Sequence, residues 1–321
     1  MTDKPVHKQS KTIAWIKAMR LRTLPLSFSV IIMGSAFAWE LLNFLSKILD
    51  PTKYFNWTIF TFLLLTTLFL QILSNLANDY GDAVKGTDND NRVGPERAIQ
   101  SGIITAKEMK NGIIITSILS LVSGLYLLYL TFGDILNLKF ILFLVLGLLA
   151  IAAAIKYTVG KSAYGYRTLG DFFVFIFFGL VGVGGSFYLL VKESFHFGIL
   201  WSAISMGAFC VMVLNLNNMR DRINDAASGK RTMAVILGFK GAKIYHYVLM
   251  IIGLSWPIIV MLSVLKSPYV LILLPILIIH LVHLRTVIRI KEPADFDPEL
   301  KKIALTTFLF SILFWILLVI Q

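Results

Sequence analysis

The 321-residue chain is predicted to fold as an all-α bundle of nine transmembrane helices, polytopic, with its N-terminus cytoplasmic. Three observations predict this class. The chain is 57% hydrophobic and only 15% charged, with a mean hydropathy of +0.78, which is more apolar surface than a soluble domain can bury. Nine apolar runs of spanning or near-spanning length follow one another along it. Lys and Arg crowd into every second connection between those runs, as membrane topology requires.

Residues 1–22 are polar and basic, lack a signal-peptide arrangement, and form a cytoplasmic N-terminal segment in this reading. The remainder, 23–321, reads as a single transmembrane domain. Its apolar runs lie at 23–45, 56–78, 111–130, 138–155, 172–191, 197–217, 244–264, 268–284 and 303–320. A run of about 20 residues gives a helix about 30 Å long, enough to cross the hydrocarbon layer. With residues 1–22 inside, the cytoplasmic segments are 1–22, 79–110, 156–171, 218–243 and 285–302, holding 6, 5, 3, 6 and 5 basic residues. The opposite side holds only Lys47, Lys53, Lys139, Lys192 and Lys266. Deleting any span would scramble that asymmetry, so the charge count supports nine.

The formal net charge of +12 is spread among these connections, a pattern that fits anionic lipid and topology and gives no reason to expect nucleic acid. Cys210 is the single cysteine, so no intramolecular disulfide is possible. Thr105-Ala106-Lys107-Glu108 has the spacing of a capping box and is expected to open the third helix. Gly179, Gly182, Gly184 and Gly185 form a row on the fifth helix that suits close helix packing. The histidines are scattered; only His280 and His283 share a helical face, with no acid beside them in sequence, which argues against a histidine metal site.

Two stretches nearly copy each other. Asn75-Leu76-Ala77-Asn78-Asp79-Tyr80-Gly81-Asp82-Ala83-Val84-Lys85-Gly86 ends the second run, and Asn218-Met219-Arg220-Asp221-Arg222-Ile223-Asn224-Asp225-Ala226-Ala227-Ser228-Gly229-Lys230 ends the sixth. With Asp82 laid on Asp225, Asn75 meets Asn218, Asn78 meets Asp221, Ala83 meets Ala226 and Gly86 meets Gly229. On a continuing helix, Asn75, Asn78, Asp79 and Asp82 share one face, as do Asn218, Asp221 and Asp225, while Tyr80 and Gly81 point elsewhere. Acids near hydrocarbon are costly, so two matched acidic clusters indicate a site. If the two helices face each other, four carboxylates converge at the rim of the bundle. Mg²⁺ takes oxygen ligands from a few carboxylates together with phosphate and water, and neighbouring cations can hold a diphosphate. The candidate phosphate partners are Lys85, Arg92, Arg97, Lys161, Arg220 and Lys230, with Arg222, Arg231 and Arg167 nearby. The candidate metal ligands are Asp82, Asp88, Asp221 and Asp225. The competing reading makes these acids solvated loop charges, and it suffices for Asp90, Glu96 and Glu108. The tyrosines of 156–167 suit either a cavity mouth or an interfacial anchor. Phe172, Phe173, Phe175, Phe177 and Phe178 suit either the flank of an allylic chain or a lipid face.

Asn78-Asp79-x-x-Asp82 on the second helix, with Asp221-x-x-x-Asp225 on the sixth of nine, resembles the UbiA superfamily of intramembrane aromatic prenyltransferases. The stretches Asn78 through Asp88, Arg92-Val93-Gly94-Pro95-x-Arg97, Gln100-Ser101-Gly102, Arg20-Leu21-Arg22-Thr23-Leu24-Pro25 and Gly165-Tyr166-Arg167-x-Leu169-Gly170-Asp171 are similar to its 1,4-dihydroxy-2-naphthoate branch. Gly86 departs from the broader pattern, where many members have a further Asp. The resemblance implies a UbiA-like bundle in a bacterial-type inner membrane with its active site facing the cytoplasm. It implies Mg²⁺ as cofactor, and a polyprenyl diphosphate and an aromatic acceptor as substrates, with membrane lipid around the donor's tail. It implies Asn78, Asp79, Asp82, Asp221 and Asp225 as catalytic residues. The implied reaction gives a demethylmenaquinol, pyrophosphate and CO₂. The rival acceptors are 4-hydroxybenzoate and homogentisate. The rival from another class is a cation-coupled transporter, whose ion sites belong at the bilayer midplane and not at one rim.

Overall fold

The structure is a computed structural model that describes residues 10–48, 54–89, 93–192, 197–263 and 268–320. Among the described residues nine helices are long and apolar enough to cross a membrane, as the sequence predicts. A short helix, α1 (Lys11–Met19), precedes them. The spans are α2 (Leu24–Ile48), α3 (Trp57–Val84), α4 (Ala106–Phe132), α5 (Leu138–Lys156), α6 (Gly170–Val191), α7 (Phe197–Ala227), α8 (Met233–Ser263), α9 (Leu274–Arg289) and α10 (Phe296–Ile320).

Helix ends follow local chemistry. Ser10, Asn56 and Asn137 cap α1, α3 and α5 with their side-chain oxygens, and Thr105 with Glu108 makes the expected reciprocal capping box on α4. The helices outrun the apolar runs. α3 continues to Val84 and α7 to Ala227, because hydropathy marks the hydrocarbon whereas helical hydrogen bonding persists through polar turns packed inside protein. α8 likewise starts at Met233 but breaks at Gly238, whose φ of 67° and ψ of 178° are not helical. Phe175–Gly184 within α6 is π-wound, a local widening that often accompanies functional sites.

The main core lies where α2, α6, α7, α8 and α10 meet, around fully buried Met33, Phe187, Phe209, Phe310 and Phe314. Between apolar helices in lipid, close packing must replace the hydrophobic drive. The glycine row supplies some of it: a Cβ on Gly179 would lie 2.9 Å from Gly207 Cα, and one on Gly182 would lie 2.8 Å from Val30 Cγ2. A second cluster joins α1 to α3 and α4 through Ala14, Ala18, Leu73, Leu76 and Met109. The described part of the basic N-terminal segment is therefore a docked helix, fastened further by an ion pair between Lys11 and Glu108. That pairing gives Glu108, which the sequence assigned to solvent, a partner.

The histidines correct a second expectation. Glu299 of α10 does sit beside His283, bonded to its Nδ1, and also pairs with Lys302. His246 of α8 lies 2.7 Å from His283, Nε2 to Nε2. The acid is sixteen positions away in sequence, out of reach of any local pattern. Among the described residues no group of three or more His, Cys, Asp or Glu is placed to hold a metal ion.

Candidate active site

The two copied motifs terminate their helices identically. Gly86 and Gly229 have φ of 71° and 72°, the left-handed conformation that glycine adopts without a Cβ penalty. Behind them Gly86 N–H donates to Ala83 O (3.2 Å) and Thr87 N–H to Asp82 O (2.9 Å). Gly229 N–H donates to Ala226 O (3.2 Å) and Lys230 N–H to Asp225 O (2.8 Å). Each is a Schellman motif, and each sets its aspartate three residues from the helix end. Gly86, where other sequences have Asp, is thus explained by backbone geometry.

Asp82 and Asp225 converge on one cation. Lys230 Nζ lies 3.9 Å from Asp82 Oδ2 and 3.6 Å from Asp225 Oδ1. Burial pulls the Lys230 ammonium down, but the carboxylates of Asp82 and Asp225 outweigh it and push it above the ordinary lysine range. Tyr166 donates its hydroxyl to Asp82 Oδ1 (2.8 Å) and receives one from Thr87. Lys85 lies 3.8 Å from the Tyr166 ring centroid. Burial holds its ammonium below the ordinary value, with Asp82 pulling upward and Lys230 and Arg167 pushing down. Asn224 donates to Thr87 O (2.8 Å) and joins the two motif ends, and Arg231 N–H donates to Tyr166 O (3.2 Å) and ties the second motif to the connection after α5.

Of the other acids, Asp79 and Asp88 reach this pair through Arg97, which also lies 3.9 Å from Asp82 Oδ2. Asp79 is paired with both Arg20 and Arg97. The Asp88 carboxylate is buried 3.6 Å from Arg97 Nε. Asp221 receives two hydrogen bonds from Arg220 (2.9 and 2.8 Å). Of the four carboxylates expected to converge, Asp82 and Asp225 share Lys230, Asp79 shares Arg97 with Asp82, and Asp221, held by its neighbour Arg220, lies close enough to act electrostatically on Asp225 and Lys230. Arg220 is also turned from its expected phosphate role toward the protein, with its remaining nitrogens on Asn217 and Asp297. Lys161 is exposed and does not line the cavity described next. Arg92 lies outside the described residues. Asn78 Oδ1 is 3.3 Å from Thr158 Oγ1, which donates to Ala77 O (2.9 Å). Gly81 permits that approach, since a Cβ there would fall 2.5 Å from the same hydroxyl.

Arg20, Asn75, Asn78, Asp82, Arg97, Asn218 and Lys230 line the polar end of a cavity of about 460 Å³. Its long remainder is apolar, walled by α2 through α7 and reaching Leu63, Leu127 and Leu189. Phe173, Phe177 and Phe178 line it, whereas Phe172 faces outward and Phe175 packs on Gly207. Such a site takes an amphipathic ligand with a charged head at the rim and a hydrocarbon chain inside.

Residues 44–312 match the UbiA prenyltransferase family. The chain belongs to this family. Members similar to it include a 1,4-dihydroxy-2-naphthoate octaprenyltransferase of Haemophilus influenzae, 39% identical with 94% of each chain covered. Another, bearing the same name, is from Escherichia coli and is 44% identical over 77% of this chain and 74% of the relative. Among solved UbiA structures, the apo homolog from Aeropyrum pernix superimposes with a TM-score of 0.62 at 14% identity, covering 92% of this chain and 98% of that one. A homolog from Archaeoglobus fulgidus bound to DMAPP and Mg²⁺ gives 0.57 at 16% identity, covering 94% and 99%. The UbiA fold predicted from the motifs is thus the fold observed.

The family implies Mg²⁺, and the donor set fits it in a limited way. Asp82 and Asp225 face one point, held here by the Lys230 ammonium, and Asn78 stands one turn before Asp82 on α3. That matches a cation that keeps waters and takes its other ligands from a substrate phosphate. Tyr166 was a candidate for the cavity mouth, whereas Thr87 and Asn224 were not singled out as site residues in the sequence. Only the matched spacing of the two motifs could have flagged Thr87, which stands where the second copy has Lys230.

Proposed function

We propose that this member transfers a polyprenyl group from its diphosphate to 1,4-dihydroxy-2-naphthoate, at a site on the cytoplasmic side of a bacterial inner membrane. The observation that carries the reading is the pairing of Asp82 with Asp225 across Lys230, at the mouth of a cavity otherwise apolar. The names of the relatives at 39% and 44% identity supply the acceptor.

Asp82 and Asp225, with Asn78, would hold Mg²⁺, which when bound shields phosphate charge and stabilises the departing diphosphate. Lys230 and Arg97 supply fixed positive charge at the same end of the cavity. Arg97 is held there by Asp79, so that acid acts as a positioning residue. Arg220 orients Asp221 and is itself tied to Asp297. The C1–O bond of the donor breaks, and the diphosphate leaves with the electron pair. Phe173, Phe177 and Phe178 offer ring faces to the allylic cation and exclude water from it. The naphthoate carbon bearing the carboxylate attacks C1, and CO₂ then leaves, returning its electron pair to the ring. No external proton is needed for this balance.

The test is a screen of purified protein with 1,4-dihydroxy-2-naphthoate, 4-hydroxybenzoate and homogentisate, a labelled prenyl diphosphate and a CO₂ readout. Prenylated naphthoate with stoichiometric CO₂ is expected; transfer only to 4-hydroxybenzoate would replace this acceptor. Asp82→Ala and Asp225→Ala should each abolish Mg²⁺-dependent transfer while the protein still inserts, and full activity in either would remove the metal assignment.

A further inference from the structure

Four glycines line the cavity, and they differ in what they are for. Gly182 is required by packing, since its Cβ would strike Val30 at 2.8 Å. Gly124, Gly147 and Gly185 are not. A Cβ at Gly124 meets nothing nearer than Thr66 Cγ2 at 3.7 Å, one at Gly185 nothing nearer than Phe143 Cε1 at 3.9 Å, and one at Gly147 nothing within 4 Å. Glycine inside a helix costs about 0.5–1 kcal/mol relative to alanine. No helix contact explains these three, and each sits among cavity-lining neighbours on its own helix: Ser120 and Leu127 for Gly124, Phe143 and Ala150 for Gly147, Val181 and Leu189 for Gly185.

They also lie at different depths. Thr66, level with Gly124, is sixteen residues from Asp82 along α3, about 24 Å at the helical rise. Gly185 is level with Phe143. Gly147 is one turn nearer the polar end than Phe143, because α5 runs toward Thr158 and Asn78. Phe143 packs on Phe132, about two turns beyond Gly124 on α4, so Gly124 and Gly147 lie at about one level and Gly185 lies deeper. The cavity is kept open by missing side chains at two distances from the aspartates.

We propose that Gly124, Gly147 and Gly185 set the length of prenyl chain the protein accepts, Gly124 and Gly147 acting nearer the diphosphate and Gly185 farthest. The inference rests on reading the cavity as the donor's site. A leucine at Gly124 or Gly147 fills the passage early and excludes long donors, and one at Gly185 obstructs only the far end.

The experiment uses the full chain and Gly→Ala and Gly→Leu variants at each position, with labelled all-trans prenyl diphosphates from geranyl to octaprenyl. Retention of each donor on the protein with Mg²⁺ is measured, and separately its transfer to 1,4-dihydroxy-2-naphthoate. Alanine should change little. Gly147→Leu and Gly124→Leu should keep the shortest donors within about twofold and weaken the longest by about tenfold or more, and Gly185→Leu should weaken only the longest. Should a leucine variant fail to fold, valine at the same position carries the comparison. Equal weakening at every length, or an unchanged ladder, overturns the gauge. A graded binding ladder without transfer to naphthoate leaves the gauge standing and removes the proposed acceptor; wild-type protein that retains no donor removes both.

Discussion

Asp82 holds its position through a side chain that never needs to ionise. Burial, with the Asp82 charge next, pushes the Tyr166 phenol above its ordinary value, so the hydroxyl remains a donor to Asp82 at any pH where the membrane protein is handled. Tyr166→Phe removes a hydrogen bond to a charged group, an effect of about 1.5–3 kcal/mol. A fall in kcat/KM of about tenfold to a hundredfold is expected, with the alkaline limb of the pH profile unmoved. A shifted limb would mean that Tyr166 itself titrates in the working range. Lys230 answers a different need. Its raised value means the ammonium is fully present at neutral pH and is lost only above the ordinary lysine range, so the stability it contributes persists through neutrality and declines in strong alkali. Between two carboxylates it supplies the charge a divalent cation would supply. Lys230→Met should therefore lower Tm in EDTA and enlarge the rise in Tm on adding Mg²⁺. An unchanged Mg²⁺ response would show that the ammonium does not balance that pair.

At the scale of helices, the paired motifs work because α3 and α7 stop in the same way. Gly86→Ala or Gly229→Ala forces a Cβ into left-handed backbone at a cost of about 1–2 kcal/mol, though open space surrounds both positions. Each variant should lower Tm and raise the donor's KM, with asparagine, which tolerates this conformation better, milder than alanine; alanine variants with wild-type Tm and KM would show that the Schellman ends do not position the site. This part of the site was legible in the sequence, since Asp82 with Gly86 and Asp225 with Gly229 repeat at fixed local spacing, and local spacing sets helical register. The long-range partners of Asp79 and of Arg220 were not legible. Arg20 meets Asp79 across 59 positions and Arg220 meets Asp297 across 77, and those meetings follow from helix packing, which no local pattern encodes. The same limit explains Glu299 beside His283. Nine spans could be read because hydrocarbon thickness imposes a length on each run; their true ends could not, because the polar turns of α3 and α7 are covered by protein instead of lipid.

Across the whole molecule, charge distribution and site location make one statement about direction. The connections at the motif end carry most of the Lys and Arg, and Asp82, Asp225 and the polar mouth of the cavity share that end. By the positive-inside rule, the proposed site would open on the cytoplasmic face. Two exposed positions at opposite ends offer a direct check: Lys161, in the loop after α5, and Leu136, in the turn before it. Cys210 is buried and is the protein's own cysteine, so a Cys210→Ser background removes it without touching either surface. In sealed right-side-out vesicles a membrane-impermeant maleimide should label Leu136→Cys and spare Lys161→Cys, and in inverted vesicles the two should exchange. Labelling of Lys161→Cys from outside would place the aspartates on the wrong face for cytoplasmic substrates, whatever acceptor the enzyme uses.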